Sequence, residues 1–166
     1  MPESTVPAWG YQLEYYVNVG KTETPEWVKA TELLSWEMAG DAKTYEAAWI
    51  DHKNPPVFTY ARACVINFEK DTVIGNAFDA WIMEHRNETD LPCEIVRVFT
   101  WLGAENAKTA DKASFLFTPN APHNNNQGQP VTGSGTFNMV DETWTEGTWN
   151  PATQAFAAGQ EPAPTE

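Results

Sequence analysis

Residues 57–86 read VFTYARACVINFEKDTVIGNAFDAWIMEHR, and this stretch decides the fold. Its first half alternates. Phe58, Tyr60, Cys64, Ile66 and Phe68 share one face, interrupted by Arg62, while Val57, Thr59, Ala61, Ala63 and Val65 make the other. A period of two predicts a single strand over Val57–Glu69, and apolar residues on both sides predict burial on both. Asp71 or Thr72 then suits a helix N-cap. Val73, Ile74, Ala77, Phe78, Trp81 and Ile82 recur at helical spacing, with Asn76, Asp79, Met83 and Arg86 largely off that stripe. Arg86 near the end complements the helix dipole, and the helix is expected to span 71–87.

The flanks supply strands rather than further helices. QLEYYVNV (Gln12–Val19) reads as a strand closed by the Gly20–Pro25 turn region. Glu26–Met38 fits helical spacing through Trp27, Ala30, Leu33 and Leu34, and fits two strands joined by a bend equally well; we read it as strands. Residues 39–56, with Gly40 and the Asn54-Pro55-Pro56 stop, are too long for a tight hairpin and read as an extended loop. Leu91–Leu102 and Ala113–Thr118 are further strands, with Pro92 near a strand start where a missing N–H costs least. Pro119–Pro130 is a polar loop. Val131–Val140 alternates, with Gly133 and Gly135 on the face of Phe137 and Met139; paired strand glycines mark a bend, a bulge or a close backbone approach. Thr143–Trp149 is the last strand candidate. The class that follows is mostly β (α+β) with one helix. The organisation is an N-terminal arm (1–10), one domain (11–149) and an extended acidic, Pro-bearing tail (150–166). Alone, that tail would stay unfolded; held by neighbouring copies it would be ordered.

Twenty-three acidic and 10 basic side chains set a formal net charge of −13. Nucleic-acid binding needs Lys and Arg to replace phosphate counterions, so direct DNA or anionic-membrane binding is not expected. The last Lys is Lys112, and every charge after it is acidic. The acidity serves solubility, or repels a polyanion that passes without being held. No basic segment followed by an apolar run opens the chain and no apolar run is of spanning length, so neither a signal peptide nor a membrane segment is expected. Cys64 and Cys93 lie in strand-like runs outside any CxxC or Cys/His pattern. They read as buried reduced thiols, though their spacing leaves a disulfide open.

No catalytic constellation stands out. His52, His85 and His123 are far apart, and the adjacent pairs Asp51–His52 and Glu84–His85 point in different directions on a strand or helix. No GxSxG, Walker loop, HExxH or GxGxxG is present. No metal or cofactor is therefore expected, and no enzyme. Of the eight Trp, periodicity places Trp27, Trp36, Trp81 and Trp101 in the core. Trp9, Trp49, Trp144 and Trp149 lie in arms, loops or the last strand, where they could bind a ligand or bury against another subunit.

The order of these elements resembles that of the major tail proteins, or tail tube proteins, of long-tailed bacteriophages. The resemblance is carried by the strand EYYVNVG, the Trp-led PEWVKATELLSWEMAGDAKTYEAAWID and the strand–helix YARACVINFEKDTVIGNAFDAWIMEHR. The strand CEIVRVFTW and the closing EGTW complete it, and it spans residues 11–149. It implies a β-sandwich or barrel-like pair of sheets flanked by one helix, and hexameric rings stacked into a virion tail tube that delivers the genome. It implies further copies of the chain, a tape-measure protein, and tail terminator and distal tail proteins as partners. DNA would pass through an acidic lumen without specific binding, no membrane being involved, and assembly would take place in the host cytoplasm. The reaching loop of that family maps best onto residues 39–56, with Tyr45, Trp49 and Ile50 as contacts; a short local strand in the same subunit is an even alternative. The arm 1–10 and the tail 150–166 would make inter-ring contacts, with Trp9 and Trp149 as further interface residues. Outside this family, a carbohydrate-binding β-sandwich module, or another virion protein such as a head–tail joining or decoration protein, fits the same composition.

Overall fold

The computed structural model describes residues 5–123 and 126–159. Strands dominate, and all their pairings are antiparallel. The strands are β1 (Leu13–Asn18), β2 (Trp27–Lys29), β3 (Leu33–Ala39), β4 (Ala42–Glu46), β5 (Val57–Arg62), β6 (Val65–Asp71), β7 (Leu91–Ala104), β8 (Ala107–His123), β9 (Thr132–Met139), β10 (Thr145–Asn150) and β11 (Ala155–Ala158). One α-helix, α1 (Ala77–Glu84), lies between β6 and β7. The main sheet runs β2-β1-β7-β8-β9-β6-β3, with β10 and β11 added beside the first half of β8. β4 and β5 pair only with each other.

The main sheet curls. β1 lies one strand from one end of the order and β3 forms the other end, yet the rings of Tyr15 and Trp36 meet at 4.6 Å. β2 and β3 do not pair, so the curl is barrel-like without closing. Inside it sits an aromatic core. Phe117 stacks on Phe137 at 4.3 Å and on Trp81 of α1 at 4.9 Å, and Phe68 meets Phe78 at 5.7 Å. Gly135 is the close approach expected of it: a Cβ there would lie 2.6 Å from the Phe117 ring and 3.0 Å from Phe68. Alternation sends the intervening residues to the opposite face, where Tyr16, Val96, Val98, Ala110 and Trp149 form a second cluster.

Several expectations change. The helix is shorter than 71–87: Asp71 ends β6, and the cap is Asn76, whose Oδ1 accepts from the N–H groups of Phe78 and Asp79. Phe78, Trp81 and Ile82 are buried as their spacing predicts, whereas Val73 and Ile74 precede the helix and are exposed. Asp79, placed off the apolar stripe, is buried against Lys70. The single strand 57–69 is broken at Ala63–Cys64 into β5 and β6, and β5 is exposed along its whole length rather than buried on both faces. The loop 39–56 contains strand β4. β8 runs from 107 to 123, taking in residues expected in a polar loop. The tail 150–166 includes β11, which pairs with β10; residues 160–166 lie outside the described residues, as do 1–4 of the arm. Trp101 is 43% exposed and is not a core residue. Residues 26–38 do form two strands.

Candidate functional site

The β4–β5 hairpin is the feature that the core does not explain. β3 and β6 pair from Leu33↔Lys70 to Ala39↔Val65, and the same two chain segments continue beyond the body as β4 and β5. The ladder breaks where they leave it. There a Cβ on Gly40 would lie 1.8 Å from the Ala63 carbonyl oxygen, so only glycine lets the strands pass this closely. Beyond that point the arm has no ladder to the main sheet.

Its surface is apolar and open. Tyr45 and Phe58 are cross-strand partners and share a face, and the Trp49 ring closes on Phe58 at 6.2 Å and edge-on to His52 at 5.1 Å. The loop is pinned by Ala47 N–H donating to the Pro56 carbonyl at 3.0 Å and by His52 N–H donating to that of Trp49 at 3.1 Å. Ile50 at the tip is completely exposed, and Tyr45, Trp49, Val57, Phe58 and Tyr60 are each about half exposed or more. Within the arm only Ala47 is buried. A two-stranded hairpin is marginal by itself, and an exposed apolar patch of this kind marks an interaction surface.

The arm also differs electrically from the body. Residues 41–63 hold three of the 23 acids (Asp41, Glu46, Asp51) and three of the 10 bases (Lys43, Lys53, Arg62). The arm is thus formally neutral, and the whole excess of −13 lies elsewhere. Among the described residues, four of the remaining seven bases are paired with acids: Lys29 with Glu14, Lys70 with Asp79, Arg97 with Asp111 and Lys112 with Glu94.

At the arm's base lies a cleft of about 510 Å³ between the β3/β6 end and the β9–β10 connection. Met38, Cys64, Met139 and Trp144 are its apolar lining, and Arg62, Arg97 and Glu142 its charged lining. Arg97 is held in place: Nη2 donates to Asp111 Oδ2 at 2.5 Å, and its guanidinium lies 4.2 Å from the Trp144 ring. Burial pushes the Cys64 thiol up, the charge of Arg97 opposing it. Burial pushes Cys93 up to about 12. Both cysteines are free.

The residues singled out by sequence divide clearly. Tyr45, Trp49 and Ile50 fall together on the arm. Trp9 is 57% exposed at the other end of the chain. Trp149 is wholly buried, its ring meeting Tyr16 at 4.6 Å and Trp27 edge-on at 5.7 Å, so that intrachain packing uses it. Val57, Phe58 and Tyr60 alternate as core positions do, because alternation does not distinguish a buried strand from an exposed arm. His85 meets Glu88 at 3.0 Å, at an exposed helix end. Among the described residues no group of three or more His, Cys, Asp or Glu is placed to hold a metal ion.

No family model and no curated protein sequence matches the chain. Its fold is nonetheless similar to solved structures. A chain of the SPP1 tail tube, determined by solid-state NMR and cryo-EM, superimposes with a TM-score of 0.64 at 14% identity, over 83% of this chain and 78% of that one. A chain of the anti-feeding prophage (AFP) baseplate, from a six-fold symmetrised cryo-EM structure, superimposes with a TM-score of 0.51 at 7% identity, over 83% of this chain and 95% of that one. The chain has the tail-tube type of fold.

Proposed function

We propose that this protein is a structural component of a phage-type tail, whose copies associate into rings that stack as a tube for genome delivery. The observation that carries the reading is the neutral, apolar β4–β5 arm projecting from an acidic body that has the tail-tube fold. An apolar arm unlike the rest of the surface makes a heterologous contact, and heterologous contacts generate closed rings or open-ended stacks. Bodies carrying the whole −13 repel each other, and an arm without net charge is the part that approaches another copy at least electrostatic cost. The same acidity lets DNA pass without adhering. Six copies per ring, a tape-measure protein, and terminator and distal tail proteins at the ends belong to this proposal, as do assembly in the host cytoplasm and residence in the virion tail.

Electron microscopy of the purified protein tests it, with rings or tubes about 100 Å wide expected for about six small domains around a pore. The triple variant Trp49→Ser, Ile50→Ser, Phe58→Ser should remain monomeric with an unchanged circular dichroism spectrum, since exposed positions carry little folding energy. A wild-type protein that stays monomeric at high concentration, or a triple variant that assembles normally, would refute the reading. A carbohydrate-binding role is less well supported: the rings of Trp49 and Phe58 are tilted by 55° and make no flat platform for a sugar.

A further inference from the structure

The geometry points to the receptor for the arm: the tip Trp49-Ile50-Asp51 of one copy seats in the cleft at the arm base of the next copy. This inference rests on the self-assembly reading and adds the partner surface. The tip offers a completely exposed Ile50, a half-exposed Trp49 and a carboxylate, Asp51, whose side chain is 79% exposed. The cleft is its complement. Met38, Met139 and Trp144 line it, and methionine walls adapt to the shape of an incoming side chain. Arg62 is part of its lining, and no hydrogen bond or ion pair engages that guanidinium among the described residues. Charge narrows the choice of site. On a surface with 23 acids and 10 bases an incoming Asp51 meets mostly like charge; in this lining two guanidinium groups accompany a single carboxylate, Glu142, and while Arg97 is paired with Asp111, Arg62 has no ion-pair partner among the described residues. An Arg–carboxylate contact supplies direction, and the apolar walls supply burial.

The chain cannot satisfy this contact by itself. Five β4 residues and the start of the loop separate the tip from its own base, a reach of roughly 15–20 Å at about 3.3 Å per residue. Seating the tip in another copy repeats one contact from copy to copy. Because tip and cleft are different surfaces, the contact is heterologous and each copy both gives and receives one arm.

Cys64 in the cleft lining makes the contact testable. Ile50→Cys and, separately, His52→Cys, which keeps the Asp51 carboxylate, are treated with a short bismaleimide under assembly conditions. Expected is a ladder of covalent multimers on denaturing gels, lost when Cys64→Ser is added. A charge exchange supports the test without cysteine chemistry: Arg62→Glu and Asp51→Lys should each lower the assembled fraction about tenfold, and the double variant should restore most of it. If the wild type forms tubes while neither cysteine variant yields a ladder and the charge exchange restores nothing, the receptor assignment is overturned and the assembly reading stands. If the wild type forms no assembly at all, both fall.

Discussion

The ion pair between Lys70 and Asp79 provides a sharp test of how α1 is held. α1 has eight residues, too few to persist alone, so tertiary contacts maintain it. Lys70 on β6 is fully buried and Asp79 is 6% exposed. Lys70 Nζ donates to Asp79 Oδ1 at 2.5 Å and to the Asp71 carbonyl at 3.0 Å, while Asp79 Oδ2 accepts the Val73 N–H at 3.0 Å. The pair therefore joins β6, the β6–α1 connection and the first turn of α1. Removing one member leaves the other charge buried without compensation. Lys70→Met or Asp79→Asn should each cost about 3–5 kcal/mol, as for other broken buried pairs. At about 2–4 °C per kcal/mol for a chain of this size, each lowers Tm by roughly 6–20 °C. The double variant Lys70→Met, Asp79→Leu removes both desolvation costs and should fall within about 1–2 kcal/mol of wild type, so that the losses are strongly non-additive. Urea unfolding, followed by tryptophan fluorescence on wild type, both singles and the double in a monomeric background, gives the cycle. Singles that cost less than about 1 kcal/mol, or a double whose loss equals their sum, would refute the clamp.

Three further outcomes are expected. Gly135→Ala should lose about 1–3 kcal/mol by overpacking, because its Cβ would lie 2.6 Å from the Phe117 ring; denaturant titration measures it. Burial, and then the neighbouring Glu14 charge, push the Tyr16 hydroxyl up to about 12 from its ordinary 10.0. The folded state therefore holds this proton where the unfolded state releases it. Its stabilising contribution is complete below about pH 10 and is lost as pH rises to about 12, and Tyr16→Phe should flatten the stability–pH curve across that window. In native protein at pH 8 a thiol reagent should label Cys64 slowly and spare Cys93 until urea is added, since only Cys64 is partly exposed; mass spectrometry of the labelled peptides decides between them.

Much of the architecture could be read from local pattern, because side-chain alternation and helical recurrence are properties of neighbouring residues. Leu13–Asn18, Leu91–Ala104 and Thr132–Met139 declare themselves as strands, Phe78, Trp81 and Ile82 as the buried stripe of a helix, and Gly135 as a point of close approach. The composition alone set the strong negative charge and held no motif of any catalytic class named above. Tertiary structure decided what covers each face. Val57, Phe58 and Tyr60 alternate as a core strand would, and only the break at Gly40 and Ala63 shows that they leave the body on an arm. Trp149 reads by pattern as open to a ligand or another subunit, and only the return of β10 along β8 buries it within the chain. Asp79 looked solvent-facing until the fold set Lys70 beside it. An amino-acid pattern records which side chains seek burial; where that burial takes place, within the chain or against another copy, depends on contacts between residues distant in sequence.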